Sequence, residues 1–365
     1  MPKKIRVAAL QTKNRTLSYK LSVQDALAQV RTNLNVLVTL ADQAGERGCK
    51  LISFPEDTLG TLEWESGNWD QTPDFLSQAE AQMTTRLGDV ANKHGMNIVC
   101  CNDCQEGDHI FNTSILIGPQ GNEIGRYRKV QPTLSESRRK RGLSFPVYQA
   151  PHVGDVGMCI CYDMMFPETT RALALNGADI VCHPTLGGAA MADADVSRAA
   201  FRTRAAENFI YIIVAFRGGG SMILGPKGEI LADGGNQPDA IISADIDLQC
   251  GREAGDALGE RISDFRARLF RERNPEAYHI LTHPHPPILD KLKDVSVPTI
   301  EQAATLMSEG LTTGADAFYE ADRWLAEGKK QQAREQYQSL SDHFGTTWIG
   351  RASRQRIEKI ESETN

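Results

Sequence analysis

Short apolar runs alternate with amphipathic helical patterns along most of this 365-residue chain. Residues 21–44 place apolar side chains at the spacing of one helical face, between strand-like runs at 6–11 and 51–54. The same alternation returns across residues 153–216. Strands separated by helices need crossover connections, so this order predicts an α/β protein in which helices cover layered, mixed sheets.

A cysteine lies at a sharp turn between one of these strands and the following helix. Residues 156–160 form an apolar run, Cys161 follows, and Pro167 opens a helical pattern, because proline is tolerated at the first helical position. A thiol at such a turn is exposed beside backbone N–H groups that can bind an oxyanion. Taken alone, Cys161 is better explained as a buried, inert cysteine, since free cysteine packs as a small apolar residue.

Two further strand ends carry the partners that a reactive thiol needs. Glu56 comes just past an apolar strand and Pro55, and Lys129 ends another strand. The carboxyl ends of strands meet at the mouth of a layered α/β fold. A glutamate, a lysine and a cysteine in these positions therefore predict one shared catalytic site.

The three motifs together resemble the nitrilase superfamily of carbon–nitrogen hydrolases, over roughly residues 5–275. They are Phe-Pro-Glu at 54–56, Tyr-Arg-Lys at 127–129, and Cys-Tyr-Asp at 161–163. The resemblance implies a four-layer α-β-β-α sandwich. It also implies a reaction that needs neither a cofactor nor a metal.

The resemblance assigns roles to individual residues. Cys161 would form an acyl thioester, Glu56 would act as the general base, and Lys129 would stabilise the oxyanion with the backbone N–H of Tyr162. Lys129 should also help to ionise the thiol, which otherwise titrates near about 8.5. Glu136 resembles a second glutamate that many members place in the pocket, and a solvated loop acid is the alternative.

The residues after the cysteine indicate the substrate class. Relatives that hydrolyse nitriles typically carry Trp-Glu there, whereas this chain has Tyr162 and Asp163, as in amidases and carbamoyl-amide hydrolases. We expect hydrolysis of a linear, non-peptide amide or N-carbamoyl compound by water. A nitrilase is one alternative, and a non-catalytic scaffold that recruits partners through its C-terminal tail is another. Tyr162, Thr185 and Phe54 are the implied substrate-binding residues.

Several positions near the site depart from the superfamily pattern. Gln131 stands where many members carry histidine, and Arg217 with three glycines follows a strand that often ends in asparagine. The basic run 138–141 lies close to Glu136 and could attract an acidic substrate. A solvated loop is the more common explanation of such a run.

Composition argues against several other classes. The net charge of −7 supplies no basic field for nucleic acid, and no stretch approaches the roughly 20 apolar residues that span a bilayer. Eight cysteines are scattered, several in apolar runs, which is typical of a reducing cytoplasm. Cys101 and Cys104 have zinc-pair spacing, but without a second pair we predict a strand over 96–101 that ends in a turn.

The chain divides into a carbon–nitrogen hydrolase domain (1–275), an extended Pro/His-rich arm (276–298) and a helical extension (299–365). A charged helix is predicted over 252–273. The extension resembles a single tetratricopeptide-type hairpin, with Tyr319 on its first apolar face. One such repeat cannot bury its face alone. It must dock on the hydrolase domain, on a sister subunit or on another protein, and we favour packing within a homo-oligomer, a dimer or larger.

Overall fold

Two six-stranded β-sheets lie face to face in the described part of the protein, and helices cover their outer sides. The computed structural model describes residues 4–136, 138–186, 194–248, 265–297, 299–345 and 348–362. The strands are β1 (Lys4–Gln11), β2 (Cys49–Ser53), β3 (Asn97–Glu106), β4 (His109–Ile117), β5 (Glu123–Arg128), β6 (Val147–Ala150), β7 (Gly154–Met158), β8 (Ile180–Thr185), β9 (Tyr211–Phe216), β10 (Met222–Leu224), β11 (Ile230–Asp233) and β12 (Ala240–Asp247). The helices of the same part are α1 (Val23–Glu46), α2 (Leu62–Gly67), α3 (Thr72–His94), α4 (Pro167–Leu175), α5 (Ala194–Asn208) and α6 (Phe265–Arg271).

The first sheet has the strand order β12-β1-β2-β3-β4-β5, and the second has the order β11-β10-β9-β8-β7-β6. Strands β1 to β3 run parallel in the first sheet, and β7 to β9 run parallel in the second. The outer strands of both sheets pair antiparallel. The predicted four-layer α-β-β-α sandwich is confirmed, and its parallel centres bring the carboxyl ends of β2, β7 and β8 to one region.

Side-chain periodicity explains the layers. Along β1, Val7 and Ala9 face the core between the sheets, whereas Ala8 and Leu10 face the helical layer, because successive strand residues point to opposite faces. The long helix α1 begins after Ser22, whose side chain accepts a hydrogen bond from the Asp25 N–H. Its buried residues recur every three or four positions, and together with α3 they form the outer core.

The C-terminal extension consists of α8 (Ile300–Glu309), a π-helical turn (Gly310–Gly314), α9 (Ala315–Ala326), α10 (Lys330–Phe344) and α11 (Trp348–Ser362). It has a core of its own, which includes Phe318, Tyr337 and Phe344. The extension docks on the hydrolase part of the same chain, where α8 contacts α2 and the 3-10 turn Leu134–Glu136. Among the docking options left open by the sequence, the structure therefore shows the one in cis.

Some sequence-based bounds were wrong. The strand predicted to end at Cys101 continues through Cys104 to Glu106, so the cysteines of this run are buried strand residues. The helix expected over 252–273 is seen as α6, and residues 249–264 lie outside the described ranges. Within those ranges, no group of three or more His, Cys, Asp or Glu side chains is arranged to hold a metal ion.

The arm between the hydrolase part and the extension is not extended. It forms a 3-10 helix over Pro275–Thr282 and the short helix α7 (Ile288–Lys291). In the extension, Tyr319 is 59% exposed and not on the buried face, whereas Phe318 beside it is buried. In the described ranges, no single helix is both long enough and apolar enough to cross a membrane.

Candidate active site

Glu56 is held at the carboxyl end of β2 by the backbone on both sides of it. The Phe54 N–H donates to the Val99 carbonyl (2.8 Å), so this segment continues alongside β3. Asp57 adopts φ of +50°, a conformation that aspartate tolerates better than most residues. The Arg217 guanidinium fixes this turn by donating to the Asp57 carboxylate (2.6 Å) and to the Glu56 carbonyl (3.3 Å).

The Glu56 carboxylate is buried and held by three hydrogen bonds. The residue is 2% exposed. Its Oε1 accepts hydrogen bonds from Asn112 Nδ2 (2.8 Å) and Lys129 Nζ (2.9 Å), and its Oε2 accepts one from the Leu186 N–H (3.1 Å). Leu186 directly follows β8, so this bond joins the ends of two strands from different sheets. The carboxylate therefore has a fixed position between the sheets.

Lys129 lies between two carboxylates. Its Nζ donates to Glu56 Oε1 and to both oxygens of Glu136, at 3.0 and 2.8 Å. Burial alone would lower the pKa of Lys129, but the charges of Glu56 and Glu136 raise it well above its ordinary value. Lys129 is therefore a permanent buried cation.

Glu136 is not a solvated loop acid. It ends the 3-10 turn Leu134–Glu136 and is buried. Besides Lys129, its carboxylate accepts hydrogen bonds from Asn112 Nδ2 (2.8 Å) and from the N–H (2.8 Å) and hydroxyl (3.0 Å) of Thr133. Burial opposes ionisation, but the Lys129 charge and these donors outweigh it and lower the pKa of Glu136 to about 2. It is thus an ionised carboxylate that orients Lys129.

The cysteine lies at a sharp turn, as its sequence suggested, and the backbone there is strained. Cys161 has φ of +44° and begins a 3-10 turn over Cys161–Met165. Asp163 caps the turn: its Oδ2 accepts from the Ile160 N–H (2.9 Å) and its Oδ1 from the Gln131 N–H (2.8 Å). Positive φ is uncommon for residues other than glycine and clusters at functional sites. Asp163 therefore ties the thiol to the segment just after Lys129.

The Cys161 thiol is partly exposed and protonated at rest. Burial and the Glu56 charge raise its pKa to about 12, although Lys129 and a hydrogen bond from Thr185 act in the opposite direction. Lys129 favours ionisation of the thiol, as expected, but desolvation and Glu56 outweigh the lysine in the resting site. The charges of Glu56 and Lys129 both act on this sulfur, so the structure brings the three predicted residues together.

The predicted substrate-binding residues have different locations. Thr185 ends β8 and forms a hydrogen bond with the Cys161 thiol. Tyr162 is half-buried, with its ring edge-on to Phe166 at 5.4 Å. Phe54 is a correction: it is fully buried in the outer core with α1 and α3, on the face of the first sheet that points away from Cys161. Strand alternation puts it there, because its neighbour Ser53 faces the other way.

Sequence reasoning missed Asn112 and Arg139. Asn112 bridges Glu56 and Glu136 from β4, and its signal was a buried polar residue inside an apolar strand. Arg139 belongs to the basic run 138–141 but is not free to attract a substrate. Its side chain is buried and donates to Asp103 Oδ2 (2.6 Å) and Glu65 Oε2 (2.8 Å).

Known proteins share this architecture. A family model described as carbon-nitrogen hydrolase matches residues 6–255. A nitrilase of Pyrococcus abyssi is 31% identical over 252 residues, which cover 66% of this chain and 90% of that protein. A deaminated glutathione amidase of Synechocystis sp. is 30% identical over 236 residues, covering 58% of this chain and 85% of that protein.

Solved structures agree on the fold. A variant of the Nesterenkonia AN1 amidase from the nitrilase superfamily matches with a TM-score of 0.60 and 23% identity, covering 76% of this chain and 97% of that one. The family match defines the class of the protein, a carbon-nitrogen hydrolase. Because the family model matches more than half of the chain, this protein belongs to the carbon–nitrogen hydrolase family, within the nitrilase superfamily.

Proposed function

We propose that this protein hydrolyses the carbon–nitrogen bond of a linear amide or an N-carbamoyl compound through an acyl thioester on Cys161. The observation that carries the proposal is the meeting of this thiol with a buried carboxylate and a buried ammonium. Glu56 and Lys129 both act electrostatically on the sulfur, and they are bonded to each other at 2.9 Å. A packing cysteine has no need of such neighbours.

The first half of the reaction forms the thioester. The Cys161 sulfur attacks the substrate carbonyl carbon while its proton passes to Glu56, since the resting thiol is not ionised. The Lys129 ammonium and the Tyr162 backbone N–H stabilise the oxyanion that develops on the carbonyl oxygen. Glu56 then gives its proton to the departing nitrogen, the carbon–nitrogen bond breaks, and ammonia or an amine leaves.

The second half restores the enzyme. Water takes the place of the amine, and Glu56 removes its proton as the water oxygen attacks the thioester carbon. The sulfur leaves as the acid product forms, and the proton on Glu56 returns to it. Glu56 therefore carries one proton in each half-reaction. Its Oε1 is occupied by Asn112 and Lys129, which leaves Oε2 as the oxygen for this transfer.

The amide class is supported by Tyr162 and Asp163 after the cysteine and by relatives named as amidases. A nitrile is the second candidate substrate, because the Pyrococcus abyssi relative is named a nitrilase. Both substrates would form a covalent bond to Cys161. They differ in the number of waters consumed before the acid is released.

The decisive experiment measures ammonia release from a panel of linear amides, N-carbamoyl compounds and nitriles. We expect turnover of at least one amide or carbamoyl compound, with an acyl adduct on Cys161 detected by mass spectrometry. Cys161→Ala should abolish turnover, a loss of roughly 10³-fold or more. The matched control is Cys182→Ala, which alters a buried cysteine in β8. Unchanged turnover in Cys161→Ala would overturn the proposal, whereas an unmodified protein that cleaves no compound of the panel would favour the scaffold alternative.

A further inference from the structure

The C-terminal extension packs against the wall of the active site that carries Glu136. Helix α8 contacts the turn Leu134–Glu136 and helix α2, and the following π-helical turn also contacts α2. Ser308 on α8 donates to the Ser66 carbonyl at 2.7 Å. Asp316, at the start of α9, accepts from the Tyr19 hydroxyl at 2.8 Å and from Lys20. These contacts place the extension directly behind a residue that orients Lys129.

The extension is a packed body and not a loose tail. Phe318, Tyr337 and Phe344 are buried in its own core. Gly314 lies so close to Phe344 that a β-carbon there would come within 2.5 Å of the ring. Tight packing of this kind transmits displacement because well-packed interiors have little free volume. A shift of α8 would therefore move the turn Leu134–Glu136 and helix α2, which it contacts.

The turn that bears Glu136 is held from the inner side as well. Arg139, three residues further along, bonds Glu65 of α2 at 2.8 Å and Asp103 of β3 at 2.6 Å. Helix α2 thus contacts both Arg139 and the extension. The turn is clamped between a buried ion cluster and α8.

We propose that the C-terminal extension is a positioning element of the active site, which fixes the Glu136 turn and thereby the orientation of Lys129 toward the substrate. The family match ends at residue 255, so the extension lies outside the part shared with the family model. A misplacement of about 1 Å in a catalytic constellation can cost about 10²-fold in rate. The kinetic part of this inference rests on the proposed hydrolase function.

A bulky substitution on the buried face of α8 tests the inference in the full-length chain. Ala303 is buried on α8, whereas Thr305 on the same helix is exposed. We expect Ala303→Trp to lower kcat for the best amide by about tenfold and to change the ratio of kcat/KM between a short and a long amide. The matched control, Thr305→Trp, should stay within about twofold of the unmodified enzyme. The ratio of kcat/KM between two substrates does not depend on the enzyme concentration, so a loss of folded protein alone would leave it unchanged.

Hydrogen exchange gives a readout that is independent of turnover. Peptides that cover residues 131–142 and α2 should exchange faster in Ala303→Trp than in Thr305→Trp. Ser308→Ala, which removes one docking hydrogen bond, should show a smaller change in the same direction if the tryptophan variant does not fold. Normal exchange and an unchanged substrate ratio would overturn the positioning role. An unmodified enzyme that cleaves no compound of the panel would instead overturn the proposed function.

Discussion

At the scale of single residues, the proton of Cys161 decides how the site works. Its pKa is raised to about 12 by burial and by Glu56, so the sulfur becomes nucleophilic only when a base removes its proton during attack. In the proposed mechanism, the Glu56 carboxylate that raises the thiol pKa at rest is also the group that accepts the proton.

Glu56→Gln should therefore be nearly inactive although it keeps the shape of the side chain. We expect kcat/KM to fall by about 10²- to 10⁴-fold, because the amide cannot accept the proton of the thiol or of the water. Glu80→Gln is the control. Glu80 lies on helix α3, outside the site, and accepts a hydrogen bond from Arg126 at 3.1 Å. Steady-state kinetics on the best amide checks the result, and equal losses in both variants would contradict the assigned base.

His183 should make the protein sensitive to mild acid. Burial lowers the pKa of His183 to about 3, whereas the unfolded chain titrates near about 6.5. As the pH falls below about 6.5, the unfolded state binds a proton that the folded state does not, so the free energy of unfolding decreases. Lowering the pH from about 7 to about 5 should therefore decrease the free energy of unfolding by about 2 kcal/mol through this histidine.

Urea unfolding of His183→Asn at the two pH values measures this contribution. The variant should lose about 2 kcal/mol less than the unmodified protein over the interval, whatever its stability at neutral pH. His109→Asn alters an exposed histidine and should reproduce the unmodified pH dependence. If both variants lose the same amount, His183 is not the acid-sensitive group.

The residues of the site were predictable only where a motif marks them. Glu56, Lys129 and Cys161 each end or follow a strand in a recognisable motif, and the fold brings those ends together. Asn112 has no such marker, because its contact depends on the β3–β4 pairing, in which it lies opposite Asp103. Phe54 was misassigned because proximity in sequence to Glu56 does not reveal which face of the sheet it occupies.

At the scale of structural elements, a buried ion cluster holds the Glu136 turn. Removing the cation from it leaves Glu65 and Asp103 buried without a partner charge, which typically costs about 3–5 kcal/mol. Arg139→Met should therefore lower the free energy of unfolding by about that amount. Arg141→Met, two residues away and exposed, should change it by less than about 0.5 kcal/mol.

Chemical denaturation of both variants checks this prediction. The kcat of the two variants should change in the same order as their free energies of unfolding. A stability loss that is the same in Arg139→Met and Arg141→Met would show that the cluster does not support the turn. This contrast separates two members of one basic run that the sequence alone treats as equivalent. The difference arises because Arg139 contacts residues from α2 and β3, more than 30 positions away.

Periodicity predicted most elements and failed where polar residues are buried. The run Cys101-Asn-Asp-Cys104 looks like a turn, yet β3 continues through it because Asn102 and Asp103 find buried partners in Thr61 and Arg139. The apolar spacing over residues 79–94 predicts a helix, and α3 begins seven residues earlier, at Thr72, with Pro73 in its first turn. Tertiary partners, absent from a local pattern, set the end of β3.

At the scale of the whole molecule, the arm between the hydrolase part and the C-terminal extension is the least covered part of the described structure. Its large apolar side chains are mostly exposed: Tyr278, Ile280, Leu281, Ile288, Leu289, Leu292, Val295 and Val297. The extension beyond it is already docked on its own chain, so it does not cover this surface. A cluster of exposed large apolar side chains in one short segment is typical of an interface.

We therefore expect the protein to form a homo-oligomer through the arm, and the double substitution Leu289→Asp and Leu292→Asp should dissociate it. The introduced carboxylates would have to be buried without partners in the interface, which opposes association. Lys293→Asp, at an exposed neighbouring position, adds the same charge without removing an apolar side chain and should leave the assembly intact. Light scattering coupled to size exclusion distinguishes the two, and a monomeric unmodified protein would show that the arm does not serve as a contact between copies.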